Sequence, residues 1–278
     1  MAKQKSAKNP VGLGGHRKNF VDLLNNFSKY GYSRWQVFTD FLQLSAISLA
    51  NCDRYCLVNE QATIDEREKQ YLNTIGKYKK EVQELFPQML YEVVEEMQSY
   101  CPNHLTDVLG ELFHSMEFQD EWKGQFFTPQ NVCDYIGIIN FSDSDSDAAI
   151  KEKGFVTINE PCCGAGAMIL GACNGMRKAG LNPNTQALVV ANDLDERCVH
   201  MCYIQLSLYG IPAIVQRQNS LTQETFGAPW FTPVFILDGW SLKLHRAFKR
   251  EEKTAPIKQE PIPIQSPKEI HYEQLSLF

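Results

Sequence analysis

The sequence lacks any run of 18 or more apolar residues, so no segment is predicted to span a membrane. It also lacks an excess of basic charge, because 27 Lys and Arg stand against 33 Asp and Glu. No apolar segment follows the basic start Met1–Lys5, which argues against a secretory signal peptide. The nine cysteines contain no C-x-x-C pair and no nearby histidines complete a zinc set. We therefore expect a cytoplasmic protein with reduced cysteines and no metal. We also expect no overall positive charge that would attract a polyanion.

The pattern of the chain predicts four parts. Residues 1–18 are basic and polar and are predicted to be a disordered start. Residues 19–120 carry apolar side chains at 3.6-residue spacing without a strand signal, so this part is predicted to be all helical. Residues 121–250 are predicted to form an α/β core. Residues 251–278 are rich in proline and charge, which predicts a disordered tail.

The stretch GFVTINEPCCGAGAMILG, residues 154–171, organises the core. A short apolar run at 155–158 predicts a buried strand, and the apolar spacing after Gly166 predicts a helix. The tight loop between them contains Gly164 and Gly166, which allow the backbone to approach a ligand beside the free N–H groups of the helix. The pattern favours a nucleotide-binding corner, and the alternative is an ordinary turn.

Two more strands are predicted beyond this loop. The apolar run at 187–191 predicts a second strand that ends beside Asp193, and the run at 211–215 predicts a third that ends near Asn219. A carboxylate at the end of the second strand accepts hydrogen bonds from both hydroxyls of a ribose. Short crossovers predict that the three strands are parallel.

The segment GQFFTP at 124–129, the loop EPCCGAG at 160–166 and Asp193, in this order, resemble the N6-adenine DNA methyltransferases. The chain is most similar to the modification subunit of type I restriction-modification systems. The resemblance implies a Rossmann-like methyltransferase core with a shortened parallel sheet, preceded by an all-helical region. It also implies S-adenosylmethionine as cofactor, DNA as partner and a recognition subunit. The implied cofactor-binding residues are Phe127, Thr128 and Pro129 over the methionine end, Glu160, Cys162, Gly164 and Gly166 in the loop, Asp193 at the ribose and Asn219 at the adenine.

The resemblance fails at the catalytic signature of the family, [DNS]-P-P-[YFW], which is absent from the chain. One degenerate candidate is the segment 227–230, GAPW, which lacks the polar residue. The other is Asp238 and Trp240, which follow a predicted fourth strand at 233–237. In the family's roles, Asp238 orients the adenine amino group and Trp240 stacks on a base flipped from the duplex. The chain is thus predicted to be an adenine N6 methyltransferase, with an inactive cofactor- or DNA-binding relative that modulates restriction or replication as the alternative. A third option is methylation of RNA or protein, which the same cofactor corner could support.

The last five residues, QLSLF, resemble the motif by which bacterial proteins bind the sliding clamp. Leu275, Leu277 and Phe278 are expected to fill apolar pockets and Gln274 to hydrogen-bond at their rim. A flexible tether of this kind raises the local concentration of DNA, which compensates for the acidic balance of the chain. The resemblance implies a bacterial, phage or plasmid origin. The alternative is that the segment docks on its own domain.

Overall fold

The structure is a computed structural model that describes residues 15–53, 55, 57–101, 103–116, 128–142 and 145–254. The chain divides into two compact units, Met1–Ser241 and Leu242–Phe278. The first unit contains every strand and all but one of the helices of the described residues. Among those residues no helix is both long and apolar enough to cross a membrane.

The predicted helical region is helical, and the described residues before 117 contain no strand. The first helix begins inside the range predicted to be disordered, while residues 1–14 lie outside the described part. Its N-terminal residues are held by contacts with the fifth helix, because His16 and Arg17 hydrogen-bond to Glu92 and Glu96. The helices are α1 (Gly15–Ser28), α2 (Arg34–Ala50), α3 (Gln61–Ile75), α4 (Lys80–Gln83), α5 (Leu85–Tyr100) and α6 (Val108–Ser115).

The sheet is small and mixed. Its three main strands lie side by side in the order β1 (Val156–Glu160), β2 (Ala187–Asp193) and β3 (Ala213–Asn219), and both pairings are parallel, as predicted. Two short strands, β4 (Glu224–Thr225) and β5 (Trp230–Phe231), pair antiparallel with β3. Strand β1 therefore lies at an edge of the sheet in the described part of the chain.

Seven further α-helices lie in the described residues after Pro129. They are α7 (Gln130–Asn140), α8 (Asp145–Lys153), α9 (Ala167–Lys178), α10 (Pro183–Gln186), α11 (Glu196–Leu208), α12 (Pro233–Leu237) and α13 (Trp240–Thr254).

The prediction of a fourth strand at 233–237 is wrong, because this segment is helix α12. Thr232 fixes the chain immediately before it: its hydroxyl donates to Ile211 O at 2.8 Å and accepts from Ala213 N at 2.9 Å. Pro233 then occupies the first turn of the helix, where its missing N–H costs nothing. The same missing N–H is unfavourable in the ladder of a sheet.

The helical region and the sheet share one apolar core. Buried side chains of the helical region, such as Phe38 and Phe113, belong to the same cluster as Val189, Tyr203 and Val215 of the α/β part. Helix α2 packs directly on α11, the helix that follows β2. Helix α11 is thus covered on both sides, which explains why nine of its residues are buried.

Glycines allow helices α7 and α9 to pack with their backbones in contact. A Cβ atom at Gly137 would lie 2.0 Å from the carbonyl oxygen of Gly171, and a Cβ atom at Gly175 would lie 2.2 Å from the carbonyl oxygen of Gly137. No other residue type fits at these positions without displacement of a helix. Because α7 begins just after Thr128–Pro129 and α9 begins at the glycine loop, this contact holds Thr128 and Pro129 near the glycine loop.

Candidate cofactor site

A cleft of about 590 Å³ lies at the carboxyl ends of the three parallel strands. This is the edge of an open α/β sheet at which ligands bind. Side chains from four separate segments meet there, and five of the residues predicted from the sequence line the cleft. These are Thr128, Cys162, Gly164, Asp193 and Asn219.

The loop after β1 has the conformation that its glycines permit. Gly164 and Gly166 have φ values of 52° and 105°, a region that side-chain-bearing residues rarely adopt. The amide of Cys163 donates to Asn192 O at 2.8 Å, which ties the loop to the end of β2. Gly166 directly precedes α9, so the free N–H groups of the first turn of this helix face the same edge of the sheet.

Asp193 is held in place by backbone amides. Its Oδ2 accepts from the amide of Gly164 and its Oδ1 from the amide of Asp195, each at 2.9 Å. Burial raises the pKa of this carboxyl above its usual value, and the backbone hydrogen bonds oppose the shift. A carboxylate has about four acceptor positions. Leu194 supplies a third backbone hydrogen bond, so only part of the acceptor capacity of the half-buried Asp193 remains for a hydroxyl donor in the cleft.

The end of β3 forms the opposite wall. The side-chain oxygen of Asn219 accepts from the amides of Leu221 and Thr222, at 3.0 and 3.2 Å. This leaves the side-chain NH₂ of Asn219 as the group that can donate to a ligand. The hydroxyl of Ser220 donates to the carbonyl of Pro161, so the loops after β1 and β3 are joined.

The thiols beneath the loop are neutral. A hydrogen bond with Cys202, followed by burial, raises the pKa of Cys163 well above its usual value. Burial likewise raises the pKa of Cys198, which also lines the cleft. Both side chains therefore act as small apolar groups. In the described residues no cluster of three or more His, Cys, Asp or Glu is arranged to hold a metal.

Three further predicted residues are described by the structure but do not line the cleft. The carboxylate of Glu160 accepts from the amide of Cys162 at 3.1 Å and thereby orients the start of the loop. Gly166 is buried, and a Cβ atom there would lie 3.4 Å from the sulfur of Cys202. Pro129 is exposed immediately before α7. Phe127 lies outside the described residues.

Two leucines at the rim of the cleft were not predicted. Leu194 is 53% exposed and directly follows Asp193, whereas Leu221 is 95% exposed and follows Ser220. Exposed apolar side chains that line a cleft are suited to contact a planar ring. Leu194 could have been predicted to line the cleft from its place directly after the acidic residue at the end of a strand.

The predicted catalytic residues do not meet at this cleft. Asp238 is exposed at the end of α12 and does not line the cleft. Trp240 is 0% exposed, and its ring packs edge-on against Phe155 with 5.4 Å between ring centroids. Phe155 directly precedes β1, whereas the cleft lies beyond Glu160 at the other end of this strand. Because Trp240 is buried, it cannot stack on a base in this structure.

The other degenerate candidate, the segment 227–230, is engaged in packing. The carbonyl of Pro229 accepts a hydrogen bond from Arg67 at 2.9 Å. The guanidinium carbon of Arg67 also lies 4.0 Å from the centroid of the Trp230 ring, and the ring of His200 meets the same indole edge-on. The carbonyl of Pro229 and the ring of Trp230 therefore already have partners inside the protein.

A glycine loop between a parallel strand and a helix, with a carboxylate at the end of the next strand, defines a nucleotide-binding α/β protein. The family profile described as N-6 DNA methylase matches residues 105–256, which is more than half of the chain. The chain belongs to this family of DNA methyltransferases. No curated protein matches the chain.

Proposed function

We propose that this chain binds S-adenosylmethionine in the cleft and transfers its methyl group to adenine N6 in DNA. The observation that carries the proposal is the convergence of the glycine loop, Asp193 and Asn219 on one cavity of about 590 Å³. That volume lies within the range of roughly 300–1,000 Å³ that is typical of sites for small molecules. Membership of the N-6 DNA methylase family supports the reaction and the substrate.

The donor set of the cleft fits a nucleoside. Asp193 would accept a hydrogen bond from the ribose hydroxyls with the acceptor capacity that its backbone amide partners leave free. The NH₂ group of Asn219 can donate to a ring nitrogen of the adenine. Leu194 and Leu221 would contact the ring, which removes apolar surface from water.

The other end of the cleft fits the methionine part of the cofactor. Gly164 lets the backbone approach the ligand, and the N–H groups at the start of α9 favour its carboxylate. Thr128 lines this cleft at the end of the segment that the sequence predicts to close over the cofactor. Bound S-adenosylmethionine supplies an electrophilic methyl group, and the residues of the chain hold it at the carboxyl edge of the sheet.

A second candidate function is an inactive relative that binds the cofactor or DNA and modulates restriction or replication. The observation that favours it is the position of the acceptor residues. Trp240 is buried at the other end of β1, Asp238 does not line the cleft, and Pro229 O is bonded to Arg67. In the described residues nothing takes the place of the family's polar-Pro-Pro-aromatic turn.

Transfer of a radiolabelled methyl group to unmethylated DNA separates the two candidates. We expect the wild type to label adenine N6 and Asp193→Ala to lose the label. Asp238→Ala serves as the matched acidic control and should label DNA at the wild-type rate, because Asp238 lies outside the cleft. Cofactor binding without any label in the wild type would leave the inactive relative as the function.

We also propose that residues 274–278 recruit the chain to the bacterial sliding clamp. Gln274, Leu275, Leu277 and Phe278 lie outside the described residues, so the support is the resemblance of the sequence alone. Deletion of 274–278 should abolish co-elution with the clamp and leave the affinity for the cofactor unchanged. Undiminished co-elution would refute the recruitment. A recognition subunit, which the type I resemblance implies, remains part of the same proposal.

A further inference from the structure

A second cavity, here called the side pocket, lies between α3 and the chain around β4 and β5. Its volume is about 400 Å³, and it shares no lining residue with the cofactor cleft. The groups that give it its chemistry are two arginines, two glutamates and two aromatic rings. They are Arg67, Arg217, Glu66, Glu196, Phe226 and Trp230.

Arg67 is a buried cation without an anionic partner. It is 6% exposed, and in the described part of the chain no carboxylate lies within 4.0 Å of its guanidinium. Its contacts are the hydrogen bond to Pro229 O and the face of Trp230. The charge of Asp53 acts on Arg67 and opposes the lowering of its pKa by burial, but this carboxylate already accepts from the amides of Leu57 and Asn59.

A buried cation of this kind is costly unless an anion accompanies it. Proteins pair buried charges because desolvation is expensive and only a close counter-charge compensates for it. Burial lowers the pKa of Arg67, which is the expected effect of desolvation on a cation that has no close counter-charge in the protein. Because Arg67 lines an open cavity, an anion can reach it from solvent.

The side chain of His200 packs against Trp230 but adds no charge that would compensate for Arg67. It is 3% exposed, its ring lies edge-on to Trp230 at 5.1 Å, and its Nε2 has no hydrogen-bond partner among the residues that the structure describes. Burial, and then the charge of Arg67, lower the pKa of His200 to about 3. The histidine is therefore neutral, and the positive charge of Arg67 is not offset from this side either.

The groups around Arg217 give the side pocket a ring face and carboxylates in addition to the buried cation Arg67. Arg217 lies over the ring of Phe226 at 5.4 Å, and the exposed Glu196 is 3.9 Å from Arg217. Glu66 is the second exposed carboxylate. A ring face and two carboxylates suit the base and the hydroxyls of a nucleoside. The two glutamates repel the continuous charge of DNA, which favours a small ligand.

We propose that the side pocket binds a free nucleotide, with the phosphate group against Arg67 and the base against Phe226. The site is separate from the cofactor cleft and does not depend on methyl transfer. A charge-assisted hydrogen bond to a buried guanidinium contributes about 1.5–3 kcal/mol, so the phosphate should account for about tenfold or more of the affinity.

Calorimetric titration of the full chain tests the proposal with four probes: AMP, adenosine, inorganic phosphate and a single-stranded DNA 12-mer. Excess S-adenosylhomocysteine, which carries the same nucleoside but no transferable methyl group, is present throughout to occupy the cofactor cleft. We expect AMP to bind about tenfold or more tightly than adenosine, and phosphate to compete with AMP. Equal affinity for AMP and adenosine, or no heat with AMP, would overturn the proposal. Displacement of bound AMP by an equimolar amount of the 12-mer would also overturn it, since the side pocket would then prefer the DNA backbone. Binding of the 12-mer elsewhere on the chain would leave AMP in place.

The variant Arg67→Met removes the charge and keeps the length of the side chain. It should lose about tenfold or more of the affinity for AMP, and Lys178→Met on the exposed end of α9 should lose none. A cooperative thermal transition checks that Arg67→Met is folded. Unchanged affinity for AMP in a folded Arg67→Met would contradict the assignment. If this variant does not fold, the comparison of AMP with adenosine on the wild type still decides the matter.

Discussion

The carboxyl edge of the sheet and the segment 227–241 differ in how their polar groups are used. At the carboxyl edge, Asp193 and Asn219 hydrogen-bond to backbone amides and still present groups to an open cleft. In the second segment, the carbonyl of Pro229 and the ring of Trp240 have partners inside the protein. The first region is arranged for a ligand, and the second is arranged for packing.

The difference indicates that the glycine loop and the acceptor turn of a methyltransferase site depend on different parts of the fold. The loop after β1 takes its geometry from contacts with the end of β2, with α9 and with Gln205 of α11, and all three are present. The acceptor turn of the family needs a further strand to carry it, and here the segment 233–237 is a helix. Strand β1 is accordingly the edge of the sheet in the described residues. The cleft at the carboxyl edge therefore forms in the described residues without a fourth strand at 233–237.

The largest expected effect comes from Trp240→Ala, which tests whether the Trp240 side chain packs in the core or contacts a ligand. The side chain is fully buried against Phe155, so its loss should lower the free energy of unfolding by about 3–5 kcal/mol. Chemical denaturation measures the change. Trp240→Phe retains most of the apolar volume and serves as the milder control. A change near zero for Trp240→Ala would mean that the indole is free to serve a ligand.

The next effect is a pH dependence that arises at Asp107. This buried carboxylate accepts from Gly110 N at 2.8 Å and Gln205 Nε2 at 2.7 Å, and Gln205 also donates to Ala165 O in the glycine loop. Burial raises the pKa of Asp107 from 3.8 to about 6. Between these values the folded chain holds a proton that the unfolded chain has lost.

Stability attributable to Asp107 should therefore fall as the pH rises from about 4 to about 6, by about 3 kcal/mol in total. Asp107→Asn keeps the acceptor oxygen and does not titrate, so it should lack this decline. The measurement is the difference in free energy of unfolding between the wild type and Asp107→Asn across pH 4–7. A difference that does not change with pH would contradict the raised pKa.

A smaller effect distinguishes the glycine loop from an ordinary turn. Gly166→Ala and Gly180→Ala both place a Cβ atom at positive φ, at 105° and 81°, and each should cost about 1–2 kcal/mol of stability. Gly180 has no atom within 4 Å of such a Cβ and lies after α9, so Gly180→Ala should keep the affinity for S-adenosylmethionine. Gly166→Ala should weaken it, and equal affinities would contradict the role of the loop.

The sequence predicted the three parallel strands, the loop and the place of Asp193, because local patterns determine them. Apolar runs that end in glycine or acidic residues leave little choice of structure. The segment 233–237 was predicted wrongly because a short apolar run is compatible with a strand or a buried helix. The start signal of the helix, Thr232 followed by Pro233, decides between them.

Other parts of the site are not readable from local pattern. Arg67 and Pro229 are 162 positions apart in the chain, and only the packing of α3 against β5 brings them together. The close contact of α7 with α9 likewise depends on three glycines in two helices. Composition gives no signal for either contact, because glycine in a helix and a single arginine have many other uses.

The most direct test of the account is calorimetric titration of S-adenosylmethionine into the wild type and into Asp193→Ala. Asp193 would accept the ribose hydroxyls and also fixes the loop through Gly164 N, so its loss should weaken binding by about 2–3 kcal/mol, or roughly a hundredfold. The account predicts a saturable heat with the wild type that is largely lost in a folded Asp193→Ala. No heat with the wild type, or the same affinity in both proteins, would contradict it.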